Sequence, residues 1–246
     1  MAIASTHPKI ALVTGANKGI GYEIARALLG QGMIVLLGCR DPSKGEAAAQ
    51  RLASSRDTAL ALELDVTRRA TIDATAAYIR SRHQRLDILV NNAGVSLEPR
   101  GAASEVDLER VQEVYQTNVF GVIAVTQAMV PLLRLSAAGR IVNMSSRLGS
   151  LTLLSDPATP WSRFGLLGYN TSKTALNAIT VMFANELRDS GVKVNAACPG
   201  YVATDLNRHS GYLSPEQGAQ IAVTLANLPA DGPTGGFFGQ EGPLAW

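Results

Sequence analysis

The chain lacks the features that mark several large classes of protein. Aromatic residues make up 5% of its 246 residues, too few for a base-stacking surface. The net charge is only +2, and the basic residues are scattered, with no run to track a phosphate backbone. Neither a nucleic-acid nor a membrane partner is therefore expected. Only Cys39 and Cys198 are present, so no disulfide framework is implied and a reduced, cytoplasmic protein fits. Both read as small residues buried at strand ends. Residues 1–15, MAIASTHPKIALVTG, lack the basic segment, apolar core and cleavage site of a leader. The longest mostly apolar stretch, 119–133, is short of the ~20 residues of a membrane span and contains Thr126 and Gln127. It reads as a buried helix. There is no linker, repeat or low-complexity tract, and no metal site is read. One domain over 1–246, with a sizeable core, is the expectation.

What is present is alternation. Short apolar runs bounded by turn residues occur at 9–14, 33–39, 58–64, 86–92, 140–145 and 192–198, as expected of strands buried on both faces. Between them lie helical patterns. IGYEIARALLG, for example, puts Ile20, Ile24, Ala27 and Leu28 on one stripe. Periodicity over 106–134 predicts two helical pieces meeting near Asn118. Strand and helix in turn predict an α/β, doubly wound Rossmann fold with a mostly parallel, seven-stranded sheet. Two segments, 147–168 and 201–213, resist assignment. Each follows the carboxyl end of a strand, where such sheets bind ligands, so both are expected to wall a pocket.

The first strand runs into TGANKGIG, residues 14–21. Gly15, Gly19 and Gly21 suit a tight turn, close approach of a pyrophosphate and close helix packing. Asn17, Lys18 and Ile20 fill the rest of the turn. The following helix start offers unpaired N–H groups and positive potential. Further along, Tyr169 and Lys173 are four apart on a helical segment, so their side chains share one face. A neighbouring ammonium is expected to lower the phenol pKa.

TGANKGIG, NNAG (91–94), Asn118, Ser146, YNTSK (169–173) and PGYVATD (199–205) stand in the order of a classical short-chain dehydrogenase/reductase. The chain resembles that family over nearly its whole length, and within it the carbonyl reductases. The resemblance implies a catalytic set of Asn118, Ser146, Tyr169 and Lys173. Tyr169 is the general acid for carbonyl reduction, Ser146 hydrogen-bonds the substrate oxygen, and Lys173 binds the nicotinamide ribose. Asn118 interrupts a helix and holds a water in a proton relay. Ser145 is then a structural or cofactor-facing neighbour. By the same resemblance, Asp65 and Val66 meet the adenine, and Asn91, Ala93 and Gly94 line the adenosine ribose. Pro199, Gly200, Val202 and Thr204 approach the nicotinamide.

NAD-binding folds often carry an acid after the second strand. Here Cys39 is followed by Arg40, whose planar guanidinium suits a 2′-phosphate. Lys18 is expected to reach that phosphate from the other side, so NADP (as NADPH) is the expected cofactor, ahead of NAD. Asp41, before Pro42, sits where a helix cap belongs.

Ser146 and Tyr169 are separated by 147–168, an insertion relative to the compact family pattern. Its Leu151, Leu153, Leu154, Trp161, Phe164, Leu166 and Leu167 either line an apolar pocket or pack the loop on the core. The expected pocket is Ser146, Leu148, Trp161, Phe164, Tyr169 and Tyr201. The activity expected is NADPH-dependent interconversion of ketones or aldehydes and alcohols. A redox-sensing NADP-binding regulator and a 3-oxoacyl-type reductase are the alternatives. The partner is a small, apolar carbonyl or alcohol compound. Monomer, homodimer and homotetramer all remain open.

Overall fold

The structure is a computed structural model that describes residues 8–52 and 58–246. Residues 1–7, part of the stretch read for a leader, lie outside the described residues. Strands β1 (Ile10–Thr14), β2 (Ile34–Cys39), β3 (Thr58–Glu63), β4 (Ile88–Asn91), β5 (Arg140–Met144), β6 (Lys193–Ala197), β7 (Phe237–Gly239) and β8 (Gly242–Pro243) form one sheet. Their order is β3-β2-β1-β4-β5-β6-β7-β8. All pairings are parallel except β7 with β8. The doubly wound fold is as expected, with one correction. The sheet has eight strands, because the chain turns back after β7 into a two-residue antiparallel strand, too short to carry a periodic signal.

The two faces follow from the two-residue period of a strand. Leu12 sits opposite Leu36 of β2 and Leu89 of β4, and all three enter the core beneath α3 (Arg69–His83), α5 (Val122–Leu133) and α7 (Leu167–Glu186). The next residue, Val13, sits opposite Leu37 and Val90, and these face α1 (Gly19–Gly30), α2 (Pro42–Leu52) and α8 (Pro215–Ala226). Order reverses between β1 and β4, so the turns after these two strands are neighbours. That reversal is the ligand-binding crevice of such sheets.

The helical stretch 106–134 is a single rod. α4 (Leu108–Tyr115) passes through a π-helical turn at Gln116–Gly121 into α5. The predicted break at Asn118 is this widened turn, a device that inserts one extra residue without ending the helix. By length and composition the rod could cross a bilayer. Its apolar stripe instead packs into the core through Val114, Val122, Val125, Met129 and Leu133, as expected of a buried helix.

Candidate active site

The glycine turn comes first in the chain. Gly15 and Gly19 take left-handed φ of 64° and 58°. A Cβ on Gly21 would stand 2.4 Å from Asn92 Nδ2 and 2.6 Å from the Gly15 carbonyl oxygen, so helix and turn close only around a glycine. At Gly19 the nearest atom to such a Cβ is Thr204 Cγ2 at 3.7 Å, which leaves the backbone accessible. α1 has no side-chain cap and no acid in its first turn, so its N–H groups and positive end suit an anion. These features fit the pyrophosphate of a dinucleotide. Asn17 and Ile20 are half-buried beside it.

The turn is braced by residues that sequence reasoning passed over. Thr14 Oγ1 accepts hydrogen bonds from the backbone N–H groups of Asn92 at 3.0 Å and Ala93 at 2.9 Å. Asn92 Nδ2 donates to the carbonyls of Thr14 at 2.9 Å and Gly15 at 3.2 Å. The expected role of Asn91 is corrected here. Its side chain is buried on the opposite face and donates to Thr126 Oγ1 at 3.1 Å and Asn143 Oδ1 at 2.8 Å. Adjacent residues of a strand point to opposite faces, so NNAG presents only one asparagine to the crevice. Strand alternation was the signal available.

Arg40 is exposed at the end of β2 and makes no ion pair among the described residues. Asp41 behaves as a cap, its Oδ1 accepting from the Lys44 N–H at 3.1 Å, and that bond holds its carboxyl below the usual range. Lys18 does not stand free for a second phosphate contact. It is ion-paired with Asp205, which also bonds His209 Nε2 at 2.8 Å. Asp65 Oδ1 accepts from Thr67 N and Oγ1 at 2.9 and 2.7 Å, which orders the turn after β3. Val66 is buried close to Gly121 of the π turn. Pro199 and Gly200 are half-buried after β6. Thr204 caps the short 3-10 turn Asp205–Asn207. The Val202 side chain is buried against Gly218 of α8.

The catalytic-type residues come together from three elements. Ser146, just after β5, accepts from the Leu148 N–H at 3.2 Å and shares the cavity wall with the Tyr169 phenol. Ser145 is structural, donating to Asn177 Oδ1 at 2.6 Å. Tyr169 and Lys173 rise from α7, with Lys173 Nζ 5.6 Å from the centre of the Tyr169 ring. Lys173 is buried and donates to the Met144 carbonyl at 2.8 Å. The expected lowering of the phenol pKa is overturned. Burial pushes Tyr169 up to about 12, opposed by the nearby Ser146 hydroxyl, and burial pulls Lys173 down to about 8. The ammonium lies below the ring rather than at the phenol oxygen, so desolvation outweighs attraction.

Asn118 is fully buried. Its Oδ1 accepts from the Val95 N–H at 2.9 Å, and its Nδ2 donates to the Val95 carbonyl at 2.9 Å and Ser172 Oγ at 3.0 Å. The side chain is therefore a clamp between the loop after β4 and α7. A Cβ on Gly94 would meet Asn118 Oδ1 at 3.4 Å and Lys173 Nζ at 3.5 Å, which puts Ala93 and Gly94 at the floor of the crevice.

A cavity of about 910 Å³ opens in front of Ser146 and Tyr169. Leu148, Phe164 and Tyr201 line it as expected. Trp161 does not. It is half-buried against Phe164, at 6.2 Å between ring centres, with the Arg147 guanidinium 5.6 Å from its ring. The segment 147–168 thus does both things. Its two ends line the cavity through Leu148 and Phe164–Leu167, while in its middle, after α6 (Leu151–Ser155), Trp161 packs on Phe164 and Arg147. Tyr201 is held by a 2.5 Å hydrogen bond between its hydroxyl and Ser210 Oγ. The third wall, 96–107, was missed, although it too follows the carboxyl end of a strand. It is stitched to the first by Gly101 N–H donating to the Gly165 carbonyl at 3.0 Å and by Arg100 over the Phe164 ring at 4.3 Å.

Known proteins resemble this arrangement throughout. A family model described as short chain dehydrogenase matches residues 9–212. The (-)-isopiperitenone reductase of Mentha piperita is 36% identical, over 96% of this chain and 98% of that protein. That alignment runs over 313 positions against the 246 residues here, so the mint enzyme carries segments this chain lacks. A short-chain dehydrogenase, anuI, of Penicillium roqueforti is 34% identical over 91% of this chain and 90% of its own length. The crystal structure of NADPH-bound carbonyl reductase from chicken fatty liver superposes with a TM-score of 0.85 at 30% identity, covering 98% of this chain and 100% of that one. Motif order, sheet topology and these likenesses agree: the chain belongs to the short-chain dehydrogenase family of oxidoreductases.

Proposed function

We propose that this chain is an NADPH-dependent carbonyl reductase, interconverting ketones or aldehydes and alcohols. The observation that carries the reading is the meeting of Ser146 and Tyr169 on one wall of the cavity, with Lys173 below the ring. The glycine turn, the uncapped start of α1 and the crevice floor at Ala93 and Gly94 are the residues that would hold the dinucleotide, which supplies the hydride when bound. Ser146 and Tyr169 donate to the substrate oxygen as negative charge grows on it. A phenol held near 12 keeps its proton at neutral pH, so Tyr169 enters the reaction as an acid. Lys173 supplies positive charge beneath it. Asn118 acts through position, fastening the loop after β4 to the helix that carries both residues.

Selection for NADPH rests on Arg40, exposed at the end of β2, with Lys18 exchanging Asp205 for the 2′-phosphate. One charged hydrogen bond of about 1.5–3 kcal/mol gives roughly 10- to 150-fold preference. The apolar walls at Leu148, Phe164, Leu166 and Leu167 favour an apolar substrate, and 96–107 adds a polar rim. The two buried, unpaired cysteines support a reducing, cytoplasmic setting.

Initial rates over a panel of ketones and aldehydes with NADPH and with NADH test the reading. Turnover with kcat/KM at least roughly tenfold higher for NADPH is expected. Equal use of NADH removes the cofactor assignment. Tight NADPH binding without turnover of any panel member replaces the reductase with a redox-sensing regulator.

A further inference from the structure

Helix α7 begins without a cap of its own. Leu166, which precedes it, offers no side-chain acceptor, and no acid lies in the first turn. The unpaired N–H groups there must be met from elsewhere. Glu98, from the loop after β4, meets one of them: its Oε1 accepts from the Tyr169 N–H at 2.7 Å. Glu98 is only 7% exposed. Its Oε2 is buried, has no hydrogen-bond partner among the described residues, and lies where a Cβ on Gly168 would come within 2.6 Å. Gly168 is thus the slot that admits the carboxylate, and the positive end of α7 offsets the cost of burying it.

The other end of the same residue is also held. Ser172 Oγ donates to the Tyr169 carbonyl at 2.7 Å and accepts from Asn118 Nδ2 at 3.0 Å. Asn118 in turn grips both backbone groups of Val95, three residues before Glu98. The loop is therefore fastened to α7 at two points, one on each side of the Tyr169 backbone.

We propose that Glu98 is a positioning residue: its carboxylate, seated in the Gly168 slot, caps α7 and fixes where the Tyr169 phenol stands relative to Ser146 and the cavity. The proposal deepens, and for its kinetic test rests on, the reading of Tyr169 as the general acid. A displacement of about 1 Å in such a group costs up to ~100-fold in rate.

The test compares Glu98→Ala, Glu98→Gln and Glu98→Asp in the full chain. For Glu98→Ala, kcat with NADPH and a turned-over carbonyl is expected to fall about 10- to 100-fold, with the Kd for NADPH unchanged. Glu98→Gln keeps an oxygen acceptor for the Tyr169 N–H and is expected to restore most of kcat. Glu98→Asp, one methylene shorter, is expected to fall between them, and it decides the question if the alanine variant does not fold. A labelled tyrosine ring resonance, assigned by its absence in Tyr169→Phe, is expected to move in Glu98→Ala or Glu98→Asp and return in Glu98→Gln. Wild-type kcat and an unmoved resonance in Glu98→Asp overturn the proposal. So does an equal loss in the glutamine and aspartate variants that only tracks loss of folded protein. If wild type turns over no carbonyl but the resonance moves and returns, the positioning role stands and the reductase reading fails.

Discussion

The two halves of the crevice are built in different ways. The half proposed for the cofactor is made of short, contiguous turns that present backbone groups and glycines, braced by Thr14 and Asn92. The substrate half is made of side chains from three distant segments, 96–107, 146–167 and 201–210, stitched together by contacts such as Gly101 to Gly165 and Arg100 over Phe164. A backbone cradle tolerates little change and can be read as a motif. A side-chain wall tolerates variation and is assembled only by folding. The residues proposed as catalytic stand on the seam between the two.

The largest effect is expected at the seam. Tyr169→Phe keeps the ring above Lys173 and removes only the proton donor, so kcat should fall at least ~100-fold while NADPH binding by fluorescence titration stays intact. Wild-type turnover in that variant would end the assignment. In the cofactor half, Arg40→Asp should reduce the NADPH preference in kcat/KM by about 10- to 100-fold and leave the rate of the chemical step alone. Unchanged selectivity would move the recognition of the 2′-phosphate elsewhere.

The pH dependence probes the seam again. Lys173 titrates near 8, so if its charged form is the active one, kcat falls about tenfold per unit above that pH. A kcat flat to pH 10 excludes it. Stability has its own sign. Between pH 8 and 10.5 the unfolded chain binds the extra lysine proton, so this group makes stability rise with pH. Between pH 10 and 12 the folded state holds the Tyr169 proton, so that group makes stability fall. Denaturant melts of wild type and Lys173→Met across this range should differ in the first window.

The smallest effects separate lining from anchoring within the substrate half. Phe164→Ala should raise KM for an apolar ketone several-fold, about 1 kcal/mol of lost apolar contact. Trp161→Ala should leave KM unchanged and lower the melting temperature, since Trp161 packs on Phe164 and Arg147 without lining the cavity. A KM effect at Trp161 equal to that at Phe164 would erase the distinction.

Local chemistry explains what could be read in advance. Apolar runs separated by helical stripes reported the layers of the fold. Gly15, Gly19 and Gly21 reported the turn, and the four-residue spacing of Tyr169 and Lys173 placed both on one helical face. What local chemistry did not report depended on direction and neighbours. Asn91 and Asn92 are identical in type, and only the phase of β4 decides which faces the crevice. Lys18 is held by Asp205 from a segment far along the chain. Trp161 and Phe164 belong to one segment, but only one of them reaches the cavity.

By itself, then, the sequence determined the α/β alternation, the glycine turn and the helix that carries Tyr169 and Lys173 on one face, because each is set by backbone geometry over a few neighbouring residues. Only the tertiary structure decided the third wall of the cavity, the burial that drives Tyr169 and Lys173 apart in pKa, and the carboxylate of Glu98 at the head of α7. These depend on which groups share a dry interior, and that is fixed when segments distant in the chain pack against one another.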